Sequence, residues 1–284
     1  MALSFTIINL SSAIGAQANT IYDYELDSRD DRKKYLVKAF NSFKRSRLKA
    51  VLIVEFLSAL VLVFLFMLIQ GKPLLLFMWI VGISLGYAYS ATPLRLKSRS
   101  WLAPVTLILV LSVFPVLFAY YTFASELNLF FLVALAGLAL TVYGVIIPTE
   151  IRDYFGDKAM GIETMTVHIG IVKASLLSML LLSAGGILIG IAFLLEFAHG
   201  PLPELSFLIL AIAIVDYVVL KKFMKLYSLS KEYNSSKSQK PCCKRDCEFV
   251  CTKSTVDYAG HTNLQHHVNN TSGKQIFALN RMIH

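Results

Sequence analysis

The sequence predicts an all-α fold, a polytopic bundle of about seven transmembrane helices, and three observations predict it. Of the 284 residues, 56% are hydrophobic and only 16% charged, against about a quarter charged in an ordinary soluble domain. The apolar residues come in runs close to the ~20 residues that a helix needs to cross a bilayer. The runs are continuous, not alternating, so helices rather than a closed barrel would satisfy the backbone inside lipid. This excludes a soluble domain, a disordered chain and a secreted disulfide scaffold for the bulk of the molecule.

The expected spans cover residues 3–22, 51–70, 74–91, 102–122, 128–148, 174–196 and 204–222. The first is the most polar, with Asn9, Ser11, Ser12 and Gln17 in it. Alternation puts 23–50, 92–101, 149–173 and everything from 223 on one side of the membrane. The first of these segments is dense in Lys and Arg, from Arg29 to Lys49. The next two add Arg95, Lys97, Arg99, Arg152, Lys158 and Lys173, whereas the opposite connections hold only Lys72. That asymmetry predicts the basic side as cytoplasmic. The net charge of +9 is then topological, and no nucleic-acid partner is needed to explain it. The cytoplasmic connections are also the longer ones, so the working face is expected there.

From about residue 228 the composition turns to Ser, Lys, Asn, Cys and His. The chain therefore divides into a transmembrane domain, 1–227, and a polar cytoplasmic tail, 228–284, expected to be disordered. Cys242, Cys243, Cys247 and Cys251 all fall in this tail, at a spacing unlike paired zinc ligands. Glu55 and Asp216 lie inside apolar runs and count as functional candidates for that reason. Pairing of Glu55 with Lys49, and of Asp216 with Lys221 or Lys222, is the plainer expectation.

Two acidic stripes carry the chemistry. Asn19, Asp23 and Asp27 follow one another in steps of four, each turning about 40° on a helix, so they share one slanting face. Glu150, Asp153 and Asp157 repeat the pattern at the cytoplasmic end of the fifth span. Carboxylates at a membrane edge are costly unless paired or bound to a cation. Hard oxygen ligands facing each other suit Mg²⁺, which keeps several waters and bridges to phosphates. Ion pairing with Arg152, Lys158 or the basic first loop is the structural alternative. Between the stripes stands YSATPLRLK, where Tyr89 and Ser90 supply hydroxyls, Pro93 ends the helix, and Arg95 and Lys97 offer cations for phosphate oxygens.

The order of these three elements resembles the UbiA superfamily of intramembrane prenyltransferases. The resemblance rests on NxxxDxxxD at Asn19, Asp23 and Asp27, on the YSxxPLxLK element, and on ExxDxxxD followed by GIETMTVHIG with Gly161, Thr164, Val167 and Gly170. It spans roughly residues 5–222. It implies a helix bundle around a central cavity open to the cytoplasmic side, where Mg²⁺ and an isoprenyl diphosphate bind. Asn19, Asp23, Asp27, Glu150, Asp153 and Asp157 would be metal ligands, with Asp23, Asp27, Asp153 and Asp157 catalytic. Tyr89, Ser90, Arg95 and Lys97 would line the diphosphate end. The implied activity is Mg²⁺-dependent prenyl transfer to a membrane-soluble acceptor: an aromatic compound, a quinone precursor, a porphyrin-like ring or a glycerolipid.

Three departures are expected to matter. Helices corresponding to the family's first and last are not found, and SRDDRKKYLVKAF replaces the family's arginine-rich stretch, leaving Arg29, Arg32 and Lys33 as substitute phosphate clamps. A catalytically impaired fragment of such an enzyme is therefore one alternative function. A cation-coupled transporter is another, but it would place polar groups through the depth of the bundle rather than at one edge.

Overall fold

The computed structural model describes residues 2–28, 34–43, 45–159, 161–199 and 203–238. Its helices are α1 (Ala2–Asp27), α2 (Lys34–Ser42), α3 (Arg45–Gln70), α4 (Pro73–Ser90), α5 (Leu102–Ile108), α6 (Phe114–Phe123), α7 (Leu129–Ala159), α8 (Met165–Ile169), α9 (Ile171–His199) and α10 (Pro203–Ser238). A π-helical turn, Leu109–Val113, joins α5 to α6. No strand occurs among the described residues; a single backbone bridge pairs Arg99 with Glu163. Every expected span falls on helix to within one residue at its ends. The fifth extends eleven residues further than expected, to Ala159, and so carries the second acidic stripe on unbroken helix. The last continues to Ser238, past the expected start of the tail. Arg29, Arg32, Lys33 and the cysteines of the tail lie outside the described residues.

Among the described residues five stretches are long and apolar enough to cross a membrane: Arg47–Gln70, Pro73–Ser90, Leu102–Phe123, Leu129–Ala159 and Ile171–Phe197. α1 is not among them, because Asn, Ser, Thr and Gln dilute its apolar face. Its side chains satisfy themselves locally instead. The hydroxyls of Thr6, Ser11, Ser12 and Thr20 donate to carbonyls four residues back at 2.7–3.0 Å, and Asn9 Nδ2 does the same to Phe5 O at 2.8 Å. Such back-bonding makes polar residues tolerable in a helix surrounded by apolar material. Gln17 Nε2 donates to Glu55 Oε2 at 2.6 Å, so α1, and not Lys49, supplies the partner of Glu55.

The bundle has two buried clusters. Ile7 and Ile14 of α1, Ala59, Val63 and Phe66 of α3, Leu75, Met78 and Trp79 of α4 and Phe118 of α6 form one. Tyr143, Ile147 and Ile151 of α7, Ile171 and Ala174 of α9 and Leu226 of α10 form the other. Lipid gives helices no hydrophobic reason to associate, so close packing of small residues does the work. Gly137 and Gly185 bring α7 and α9 so near that a Cβ on Gly185 would stand 2.7 Å from Gly137 O.

Pro148 lies inside α7 and has no N–H to give the carbonyl of Gly144, four residues earlier. The hydroxyl of Ser178 on α9 donates to that carbonyl at 2.6 Å. The helix therefore passes through its proline with the freed acceptor satisfied, and Glu150 follows two residues later. At the opposite end of the bundle Lys72 Nζ donates to Tyr121 O at 2.7 Å and Ala124 O at 3.1 Å, capping the C-terminus of α6.

Candidate active site

The C-terminal ends of α1, α4 and α7 meet at one end of the bundle, and their spacing puts the acidic residues on inward faces. The segment after α4 turns sharply: Thr92–Pro93 is cis, and Arg95 adopts the left-handed conformation at φ 37°, ψ 58°. For a residue with a Cβ that conformation costs about 1–3 kcal/mol. Its consequence is a single 3-10 turn, Leu96–Ser98, that carries Lys97 back over the bundle. The bridge between Arg99 and Glu163 ties this segment to the one after α7.

The result is a polar cavity of about 320 Å³ lined by Asn19, Asp23 and Asp27 from α1, Tyr89 from α4, Lys97, and Thr149, Glu150, Asp153 and Asp157 from α7, with Ile162 and Thr164 closing it. The two stripes thus face one space. Lys97 Nζ bonds Asp23 Oδ1, with only 13% and 11% of the two side chains exposed. Thr166 Oγ1 donates to Glu150 Oε2 at 2.8 Å. Ser90 Oγ donates to Asn19 Oδ1 at 2.7 Å. Arg152 Nε lies 3.4 Å from Asp153 Oδ1, so the ion pair considered as an alternative exists, while Lys158 Nζ sits 5.8 Å over the ring of Tyr154.

Beneath the polar cavity lies an apolar one of about 280 Å³, and Asn19, Tyr89, Leu107 and Leu111 belong to both. Its walls come from α1, α4 and the α5–α6 helix, including the π-helical turn. Ser90 lies on this second cavity, below the acidic groups. Arg95 lines neither; its backbone, not its guanidinium, shapes the site. Thr164, already part of the GIETMTVHIG element, lines the polar cavity, whereas Thr149, Ile162 and Thr166 were not singled out from the sequence. The signal for Thr164 was present in TMTV: its side chain caps α8, accepting from Val167 N at 3.3 Å. His168 ends α8 and meets Trp101 edge-on with centroids 6.4 Å apart.

The sequence profile of the UbiA prenyltransferase family matches residues 1–230. The chain belongs to the UbiA prenyltransferase family. No curated protein matches it. Among solved structures, a UbiA homolog from Archaeoglobus fulgidus bound to DMAPP and Mg²⁺ is similar at 18% identity and TM-score 0.57, over 81% of this chain and 85% of that one. The same homolog bound to GPP and Mg²⁺ is similar at 15% identity and TM-score 0.57, over 100% of this chain and 84% of that one. At such identities the likeness is one of fold: a UbiA-type helix bundle.

The donor set of this UbiA-family chain suits a hard divalent cation. It consists of carboxylates and an amide oxygen, with no thiolate or imidazole among the described residues of the cavity wall. Asp23 already holds a cationic group, the Lys97 ammonium. Among the described residues no three of these side chains form a ready-made metal cage.

Proposed function

We propose that this UbiA-family chain is a Mg²⁺-dependent prenyltransferase that moves the prenyl group of an isoprenyl diphosphate onto a lipophilic acceptor within the membrane. One observation carries the reading: two carboxylate stripes and a lysine share a polar cavity that opens directly into an apolar one. The ligands named for the similar archaeal homolog, DMAPP, GPP and Mg²⁺, belong to the same chemistry.

In this reading Asp23, Asp27, Asp153 and Asp157 hold the divalent cation, with Asn19 and Glu150 as further oxygen ligands. Bound Mg²⁺ supplies the positive charge that makes diphosphate a competent leaving group. Lys97, which holds Asp23 in this structure, would offer its ammonium to a diphosphate oxygen as a point charge. Tyr89 lines both cavities, and Ser90 fixes the amide of Asn19. Arg95 shapes the turn that presents Lys97, and Arg29, Arg32 and Lys33 remain the sequence-based candidates for further phosphate clamps. The apolar walls hold the prenyl tail and exclude water, which would otherwise compete with the acceptor for the allylic carbon. The Lys and Arg asymmetry supports a mouth on the cytoplasmic side.

The test is turnover of purified protein in proteoliposomes with labelled isoprenyl diphosphates and a panel of lipophilic acceptors. Asp23→Ala and Asp153→Ala should each lower turnover by about 100-fold or more, as loss of a group that stabilises developing charge does. If both variants keep full turnover, the assignment is wrong.

A further inference from the structure

The apolar cavity has a floor, and the floor is pinned. Trp79 is 6% exposed, and its Nε1 donates to Ser11 Oγ at 2.8 Å. Ser11 Oγ in turn donates to Ile7 O at 2.7 Å, so indole, hydroxyl and backbone form a relay that fixes the ring at the deep end of the cavity. Phe118, 4% exposed, and Met78, 6% exposed, pack in the same cluster.

Depth follows from helix geometry. On α1 the cavity reaches from Asn19 down to Ile7, a step of twelve residues, or about 18 Å at about 1.5 Å per residue. On α4 it reaches from Ser90 to Met78, one residue past Trp79, a step of twelve residues, or about 18 Å. An extended isoprene unit advances by four carbon–carbon bonds of about 1.5 Å in zigzag, or about 5 Å. We infer that the Trp79 floor is a ruler that selects isoprenyl diphosphates of about three to four isoprene units, the farnesyl and geranylgeranyl lengths, an inference that rests on the prenyltransferase reading above.

Two glycines graduate the ruler. Gly86 lies four residues below Ser90, about 6 Å down, and Gly82 eight residues, about 12 Å down; both line the cavity. A Cβ at Gly82 would meet Phe114 at 3.5 Å and one at Gly86 would meet Val110 at 3.5 Å, which is ordinary contact. A methyl therefore fits at either place, and a larger side chain fills space between α4 and the facing Phe114 and Val110, which line the same cavity, and so narrows it. Gly86→Val should block the cavity after about one unit and Gly82→Val after about two, whereas Trp79→Ala should open the floor.

The experiment measures two quantities on the full chain in detergent and Mg²⁺: turnover with the acceptor panel, and thermal stabilisation by the diphosphates alone. The substrates are dimethylallyl, geranyl, farnesyl, geranylgeranyl and a chain of eight or more units. Wild type should peak at farnesyl or geranylgeranyl and fall at least about tenfold for the longest chain. The ratio of geranyl to geranylgeranyl response should rise at least about tenfold in Gly82→Val. Trp79→Ala should extend the optimum to longer chains. Gly82→Ala, which fits without movement, controls for misfolding and should shift the ratio in the same direction by less. A flat profile, as a tail leaving sideways past half-exposed Leu111 would give, overturns the ruler, as does an optimum that none of the variants moves. Stabilisation that peaks at three to four units with no turnover would retain the ruler and remove the catalytic reading. Stabilisation by none of the diphosphates would remove both.

Discussion

The carbonyl freed by Pro148 makes a sharp quantitative test. Ser178 is fully buried and donates to Gly144 O at 2.6 Å, where the helix itself has no N–H to offer. Interhelical hydrogen bonds in membrane proteins average about 0.6 kcal/mol and reach about 1.7, whereas orphaning a buried polar group costs about 1–3 kcal/mol. Ser178→Ala leaves an orphan, so its cost should lie where the two ranges overlap, at about 1.5 kcal/mol. In a Pro148→Ala background the new alanine N–H closes the bond to Gly144 O. There Ser178→Ala should cost about 0.5 kcal/mol or less, a coupling of about 1 kcal/mol across the cycle. The assay is reversible unfolding in mixed micelles, followed by circular dichroism for wild type, both single variants and the double variant. Equal costs of Ser178→Ala in the two backgrounds would refute the account.

Three further outcomes follow from the packing. Gly185→Leu places its Cβ 2.7 Å from Gly137 O, while nothing lies within 4 Å of a Cβ on Gly190. The first should cost about 3 kcal/mol or more and Gly190→Leu less than about 1, read as melting temperatures in the same detergent. Lys97→Met strands the nearly buried Asp23 carboxylate and should destabilise the protein in EDTA by about 3 kcal/mol. Added Mg²⁺ should recover more stability in this variant than in wild type; an equal gain in both would mean that the cation does not bind beside Asp23. Thr166→Val removes the donor to Glu150 Oε2 and should cost about 1–2 kcal/mol by thermal melting; Thr166→Ser should restore most of it.

Much of the bundle was legible because bilayer thickness acts on sequence directly: a crossing helix must be apolar along its length, so each span can be read alone. The slanting stripes were legible for a similar reason, since 3.6-residue periodicity assigns Asp23 and Asp27 to one face before any neighbour is known. The limits show where that logic ends. α1 carries so many polar groups that hydropathy marks it weakly, and its viability depends on hydroxyls bonding carbonyls one turn back. The short amphipathic α2, held by Tyr24 stacked on Phe40 with centroids 4.4 Å apart, has no bilayer-length signal at all. Asp216 stands against Gly186 of α9 rather than pairing along its own helix: a Cβ on Gly186 would lie in its carboxylate.

Local periodicity and the thickness of lipid write the long helices, their faces and the two acidic stripes into the amino-acid order. Packing alone brings the stripes to one cavity, puts Lys97 and not Arg95 on its wall, and sets Trp79 on the apolar cavity beneath. Those relations join residues distant in the chain, through a left-handed turn at Arg95 and a hydroxyl on α1, and no pattern along one segment records which distant partner a side chain will meet.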